Sequence, residues 1–263
     1  MLMEQTLDKM NAMKLTGMAE ALRQQLGSAP HTKLSFDERL SLLVDAEWLA
    51  REHKRLKTRL HAAKLRYPAS LEDVDFKHPR GLDRQVVLSL GNCGFVQSRH
   101  NLVITGPTGI GKSYLACAFV ERACRRGHKA AYVRMPRLLQ QLAVARGDGS
   151  YTRILDRLQR LELLAIDDWL LAPLRDPERR DLVEVIEDRS ERASTLVASQ
   201  LPAKDWHASI GDPNLADSIC DRVLNKEASR HALPIETAHE IAAALSAHLG
   251  DPAHAAPTVP RML

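Results

Sequence analysis

Residues 101–116 read NLVITGPTGIGKSYLA, and within them Gly106-Pro107-Thr108-Gly109-Ile110-Gly111-Lys112-Ser113 fits the pattern GxxxxGK[ST]. A short apolar run, Asn101–Thr105, leads into the motif, and a helix-like segment, YLACAFVERAC, leads out of it. Strand, glycine turn, helix is the context a phosphate-binding loop needs. The glycines let the backbone turn so that its N–H groups converge on phosphate oxygens, and the helix points its positive end at the same place. Lys112 is expected to reach the β- and γ-phosphates, and the Ser113 hydroxyl to ligate Mg²⁺. The candidate nucleotide contacts are therefore Gly106, Pro107, Thr108, Gly109, Ile110, Gly111, Lys112, Ser113 and Tyr114, with ATP and Mg²⁺ as the groups bound. The plainer alternative is a glycine turn beside an incidental lysine, and the flanking strand and helix argue against it.

Downstream of this loop, runs of strand length alternate with segments of helix length. Asn101–Thr105, Ala130–Arg134, Leu163–Asp167 and Ser194–Ser199 are predicted strands. Helices are predicted near 112–126, 136–145, 177–191, 214–224 and 236–248. Such alternation implies an α/β fold, a parallel sheet with helices on both faces. Ligands then bind beyond the carboxyl ends of the strands. Two strand ends carry suitable chemistry. Leu161–Asp168 (LELLAIDD) ends in two acids: Asp167 is expected to hold Mg²⁺, and Asp168 to orient or deprotonate an attacking water. Ser194–Gln200 (STLVASQ) ends in Gln200, placed to hydrogen-bond the γ-phosphate or the water, or else to cap the next helix. Arg222 and Arg230 follow. Either is a candidate for the arginine that a neighbouring subunit offers to the γ-phosphate, or a surface arginine paired with Asp221 or Glu227.

Upstream, the chain is helical in pattern. Leu7 and Met10 share one amphipathic face, and Met18, Leu22 and Leu26 share another after a possible Thr16 cap. Ser35 and Glu38 form a capping box ahead of Leu40, Leu43 and Val44. A long helix is expected from there to Tyr67-Pro68, where the proline disfavours helical backbone. The predicted organisation is a helical domain over 1–67, a connector over 68–83, a nucleotide-binding domain over 84–250 and a disordered tail over 251–263.

Charge divides along the same line. Of 263 residues, 37 are Lys or Arg and 33 Asp or Glu, a formal net charge of +4. Residues 1–68 hold 12 basic and 8 acidic residues, so the remainder holds 25 of each and the excess lies entirely in the N-terminal quarter. Arg51–Arg66 alone carries seven Lys or Arg and one acid. The cluster Arg51, Lys54, Arg55, Lys57 and Arg59 is the candidate DNA-contacting set, through sequence-blind phosphate contacts, unless it is a solvated helix face. No run of about 18 apolar residues occurs, so no membrane span is expected. The N-terminus, MLMEQTLDKMNAMK, lacks the apolar core of a secretory leader. Cys93, Cys117, Cys124 and Cys220 form no CxxC pair and read as reduced thiols of a cytosolic protein rather than a metal site.

Taken in order, KLTGMAEALRQQL, FDERLSLLVDAEW, GLDR, NLVITGPTGIGKSYLA, LLAIDDW, TLVASQLPAKDWH and LADSICDRV resemble the IstB-like helper ATPases of insertion sequences, relatives of the DnaC helicase loader within the AAA+ class. The resemblance covers nearly the whole chain. It implies a P-loop AAA+ ATPase domain preceded by a small all-α domain, ATP-dependent self-association on double-stranded DNA, and assistance to a transposase encoded by the same element. It implies that Gly106–Ser113 is the Walker A loop, Asp167–Asp168 the Walker B pair, Gln200 sensor I and Arg222 the arginine finger, with Arg230 the nearest sensor II candidate. A cytoplasmic protein, nucleoid-associated when bound to DNA, is the expected setting. Two departures from the family pattern stand out: Asp168 where many AAA+ proteins have Glu, and Trp169-Leu170 where relatives often have an aromatic residue and Gly. The alternatives are a DnaC-like loader of a replicative helicase and a P-loop kinase of a small metabolite, for which no arginine-bearing lid is evident.

Overall fold

The computed structural model describes residues 2–27, 34–77, 81–224 and 232–234. The predicted helix 236–248, the predicted tail 251–263 and Arg230 lie outside these residues. By contacts the chain divides into two compact units, residues 1–61 and 62–263.

The first unit holds α1 (Leu2–Ala12), α2 (Thr16–Leu26) and most of α3 (Phe36–Ala63). The Ser35–Glu38 capping box is formed as the sequence predicts. Glu38 N donates to Ser35 Oγ at 3.3 Å, and Ser35 N donates back to the Glu38 carboxylate at 2.8 Å. Thr16 does not cap α2, which begins after Leu15 with no side-chain cap of its own. The cap comes from another helix: Met18 N donates to Glu47 Oε2 at 3.1 Å, and Glu47 is buried. That exchange is possible because α2 and α3 cross at Gly17. A Cβ there would lie 2.7 Å from the Ala46 carbonyl oxygen and 2.7 Å from Ala50 Cβ. α3 ends at Ala63 rather than running to Tyr67, because Lys64 turns into the left-handed region (φ 52°) and breaks the helical ladder before Pro68 acts.

The second unit is a five-stranded parallel sheet in the order β2-β3-β4-β1-β5. Its strands are β1 (Leu102–Thr105), β2 (Ala130–Arg134), β3 (Leu163–Trp169), β4 (Ser194–Ser199) and β5 (Ala232–Pro234). The first four coincide with the predicted strands to within two residues. Two short helices, α4 (Arg84–Leu90) and α5 (Gly94–Gln97), precede β1, and α4 is capped by the Asp83 carboxylate. Then come α6 (Lys112–Arg125), α7 (Met135–Asp148), α8 (Tyr151–Gln159), α9 (Asp176–Arg189), α10 (Trp206–Ile210) and α11 (Pro213–Val223).

Strand alternation assigns the two sheet faces. Val103, Leu164, Ile166 and Val197 pack into one core with Leu138 and Leu142 of α7, Leu182 and Val185 of α9 and Ile219 of α11. The intervening residues, Leu102, Ile104, Leu163, Ala165, Leu196 and Ala198, are equally buried on the other face, and α6 packs on β1 to β4. α8 was not predicted, although Tyr151, Ile154, Leu155 and Leu158 have full amphipathic spacing. Among the described residues no helix is long and apolar enough to cross a membrane, and all four cysteines are free thiols.

Candidate active site

The loop Gly106–Gly111 joins the carboxyl end of β1 to the first turn of α6. Gly111 holds φ +101°, a conformation that would strain any residue with a Cβ, and passes directly into Lys112 at the helix start. Gly106 N donates to Ser199 O at 3.2 Å, which ties the loop to the end of β4. The loop borders a cavity of about 510 Å³, within the usual range for a small-molecule site. Thr108, Gly109, Gly111, Lys112, Ser113 and Tyr114 line it together with Asp167, Asp168 and Gln200. Nine of the predicted residues thus meet across one cavity; Gly106, Pro107 and Ile110 belong to the loop but not to the lining.

The acidic pair depends on a backbone irregularity. Two consecutive residues on a regular strand face opposite ways. Between Ile166 and Trp169 the register against β4 shifts, so that Asp167 and Asp168 together stand against Ala198 alone. This is a β-bulge, and Asp168 occupies it at φ +54°. Both carboxylates consequently reach the cavity, while Trp169 rejoins the core face used by Leu164 and Ile166. Trp169 is buried there against Trp206, ring centroids 5.6 Å apart.

Each charged group has a defined partner. Lys112 Nζ donates to the Pro107 carbonyl at 2.7 Å; burial pushes its pKa down, and Asp167 and Asp168 pull it back up. Asp167 is 1% exposed, and Tyr132 Oη donates to its Oδ2 at 2.5 Å. Burial and that carboxylate push the Tyr132 phenol far above its ordinary value, so it stays protonated as a donor. Arg134 Nε donates to Asp168 Oδ2 at 2.5 Å. Thr108 Oγ1 donates to Gln200 Oε1 at 2.7 Å, which joins the loop to the end of β4.

Four lining residues lay outside the predicted site: Arg66, Tyr67, Arg134 and Ala198. Arg134 was legible, since it ends β2 and pairs in register with Asp167, and the strand-end rule that selected Gln200 selects it too. Arg66 and Tyr67 belong in sequence to the basic helix and its stop, and nothing local marks them as cavity residues. With Arg66, Lys112 and Arg134 against Asp167 and Asp168, the lining carries one net positive charge, which suits an anion. The oxygen donors Ser113, Asp167 and Asp168 suit a hard cation that completes its shell with phosphate oxygens. Among the described residues no cluster of three or more His, Cys, Asp or Glu forms a self-sufficient metal cage. The residues present therefore fit a magnesium nucleotide.

Two predicted groups stand elsewhere. Arg222 does not line the cavity; on α11 it donates to Ser218 O and Oγ at 2.9 and 2.7 Å and to Glu187 Oε1 at 2.6 Å. On α3, Arg51 pairs with Glu47 and Arg55 with Glu52, each at 2.6 Å, and Lys54 and Lys57 are exposed. Arg59 is half-buried.

A family model described as IstB-like ATP binding protein matches residues 8–238. A protein of Sinorhizobium fredii named as an insertion sequence ATP-binding protein is 46% identical over 225 residues, 86% of this chain and 92% of its own. The IS1162 ATP-binding protein of Pseudomonas fluorescens is 45% identical over 81% of this chain and 93% of its own. In fold the chain is similar to the DnaC helicase loader, with a TM-score of 0.52, 19% identity and coverage of 66% of this chain and 99% of that one. It is likewise similar to the replication initiator DnaA bound to AMPPCP and single-stranded DNA, with a TM-score of 0.51 and 17% identity over 66% of this chain, and it spans about half (51%) of the DnaA chain.

Proposed function

The chain belongs to the IstB-like ATP-binding protein family, and on that premise we propose that it is an ATP-hydrolysing, DNA-binding helper of transposition. The observation that carries the reading is the meeting of the Gly106–Ser113 loop, the Asp167–Asp168 bulge and Gln200 around one cationic cavity. In this reading the cavity takes ATP. Backbone N–H groups of the loop and the start of α6 bind the phosphates, and Lys112 exchanges its bond to Pro107 O for the β- and γ-phosphate oxygens. Ser113 and Asp167 would hold Mg²⁺, which when bound neutralises charge on the phosphate oxygens. Asp168 keeps Oδ2 on Arg134 and offers Oδ1 to the attacking water, from which it takes a proton. Gln200 donates its amide to the γ-phosphate or the water while its Oε1 stays on Thr108. Arg222 leaves Glu187 to reach ATP held by a neighbouring protomer, and Arg230 is the sensor II candidate.

The domain roles follow. The N-terminal helices contact double-stranded DNA through Arg51, Lys54, Arg55, Lys57 and Arg59, and residues 84–250 form the ATPase domain. ATP binding assembles protomers on the DNA, and hydrolysis loosens them. The assembly assists the transposase of the same element in the bacterial cytoplasm. The test is DNA retention with and without ATP. Wild-type protein should be retained in an ATP-dependent manner and Lys112→Ala should lose that dependence; equal retention of both without ATP sinks the coupling.

A second reading, a loader of a replicative helicase, draws on a different feature. Phe36, Leu40, Val44 and Trp48 recur every four residues along α3 and are all exposed, which suits a protein surface better than a phosphate backbone. Co-purification with a helicase ring in preference to duplex DNA would favour it.

A further inference from the structure

We propose that Tyr132 and Arg66 are positioning residues that fix the Asp167 carboxylate for metal binding, an inference that rests on the reading of Asp167 as a metal ligand. Tyr132 lies on β2 beside Ala165 of β3, two positions before the pairing of Arg134 with Asp167, and so shares the face of Asp167. Its ring is buried, at 6% exposure, and its hydroxyl ends 2.5 Å from Asp167 Oδ2. Arg66 lines the same cavity, where the Tyr132 side chain favours its charged form, and its guanidinium stands 5.1 Å above the ring of Tyr67.

Donor and acceptor inventory gives this chain of groups one direction. A guanidinium has donors and no acceptor, so in the proposed relay the phenol oxygen accepts from Arg66. The phenol has one proton, and Asp167 Oδ2 is its acceptor. An oxygen that accepts from a cation becomes a stronger donor. The result is a carboxylate with Oδ2 pinned and Oδ1 turned to the cavity, where a cation held by Ser113 would meet it. Partners of this kind orient metal ligands elsewhere, and their loss commonly costs tenfold or more in metal affinity. Arg66 also lies only three positions beyond α3 in the chain, so the segment leaving the N-terminal helices supplies the outermost group of the relay.

The experiment is a Mg²⁺ titration of the full-length protein with a fluorescent N-methylanthraniloyl ATP, read as the half-saturating Mg²⁺ concentration. Tyr132→Phe keeps the buried ring and removes the hydroxyl. It should raise half-saturation about tenfold while nucleotide affinity in EDTA stays within about twofold of wild type. Arg66→Gln, at an exposed position, should shift half-saturation in the same direction, and Arg66→Lys should restore part of the loss. The double variant should be no worse than Tyr132→Phe alone, since both act through one bond. A purely structural Tyr132 would lower the melting temperature and leave half-saturation unmoved, and that outcome overturns the proposal. Additive effects of the two substitutions break the relay and overturn the role of Arg66. Asp167→Asn separates the layers. If it leaves the Mg²⁺ response unchanged, the reading of Asp167 falls and the positioning role with it. If it weakens the response while Tyr132→Phe does not, the positioning role alone falls.

Discussion

Asp168 is a non-glycine residue at φ +54°, in the region that Asp and Asn visit several-fold more often than other side chains. This gives a physical account of Asp where many AAA+ proteins have Glu: the bulge that turns both acids toward the cavity favours the shorter one. Asp168→Asn preserves the backbone preference and removes the proposed base. Phosphate release should fall by roughly 10²–10⁴-fold with nucleotide retention unchanged on filters, and undiminished release would remove Asp168 from the chemistry. Asp168→Glu should be no faster than wild type and should melt lower, by about 1 kcal/mol; a faster enzyme of equal stability would contradict the account. The two acids could be read from the end of an apolar run. The bulge could not, because nothing in LLAIDDW distinguishes a strand that simply ends from one that folds an extra residue outward. Tyr132 escaped notice for a similar reason, since a tyrosine within AAYVR reads as an ordinary strand residue until β3 is laid beside it.

Arg189 closes α9 and is 1% exposed, yet among the described residues no carboxylate pairs with it. Its guanidinium donates instead to the carbonyls of Leu158, Leu161 and Ser194 and to the Thr195 hydroxyl, joining the ends of α8 and α9 to the start of β4. Arg189→Met fills much of the volume but leaves those acceptors buried and unpaired. A loss of about 3 kcal/mol or more in denaturant unfolding is expected, and a change under 1 kcal/mol would show that water replaces the guanidinium. On the other sheet face, the turn Leu71–Asp73 is tied to α6 by Glu72, which bonds Ser70 and Arg122. The Ser70 hydroxyl first, then backbone N–H and Arg122, hold the Glu72 carboxyl down at about 2, against 4.5 ordinarily. The sign follows: its stabilisation is complete above pH 4.5 and is lost as pH falls through about 2. The side chain is 60% exposed, so the effect is small. Melting temperature should drop less between pH 4.5 and 2 in Glu72→Gln than in wild type, and parallel curves would contradict the linkage. The long helices and central strands were legible from period and length. α10 was not, because five residues hold too little period, and the true end of α3 was hidden by the more visible Tyr67-Pro68 stop.

The two units carry their charge differently. Basic excess gathers in the N-terminal quarter, whereas the sheet-bearing unit draws its cation density from particular strand and loop ends around one cavity. Some of the N-terminal excess is already spoken for, since Arg51 and Arg55 carry acidic partners on their own helix. The proposed DNA contact through this helix therefore leans on Lys54 and Lys57 more than the bare count of basic residues implies. The first unit is also open to separate attack. Gly17 admits the Ala46 backbone and the Ala50 side chain at a distance no Cβ tolerates, so Gly17→Leu should wedge α2 from α3 and strip Glu47 from the start of α2. Proteolysis should then open residues 2–61 first, with nucleotide affinity of the remainder unchanged; simultaneous loss of both would show that the units fold as one. For a geneticist, the same crossing is a place to make conditional alleles. A bulkier residue at 17, chosen between Ala and Leu, should give strains in which the proposed transposition function fails on mild warming while the protein still accumulates and still binds ATP.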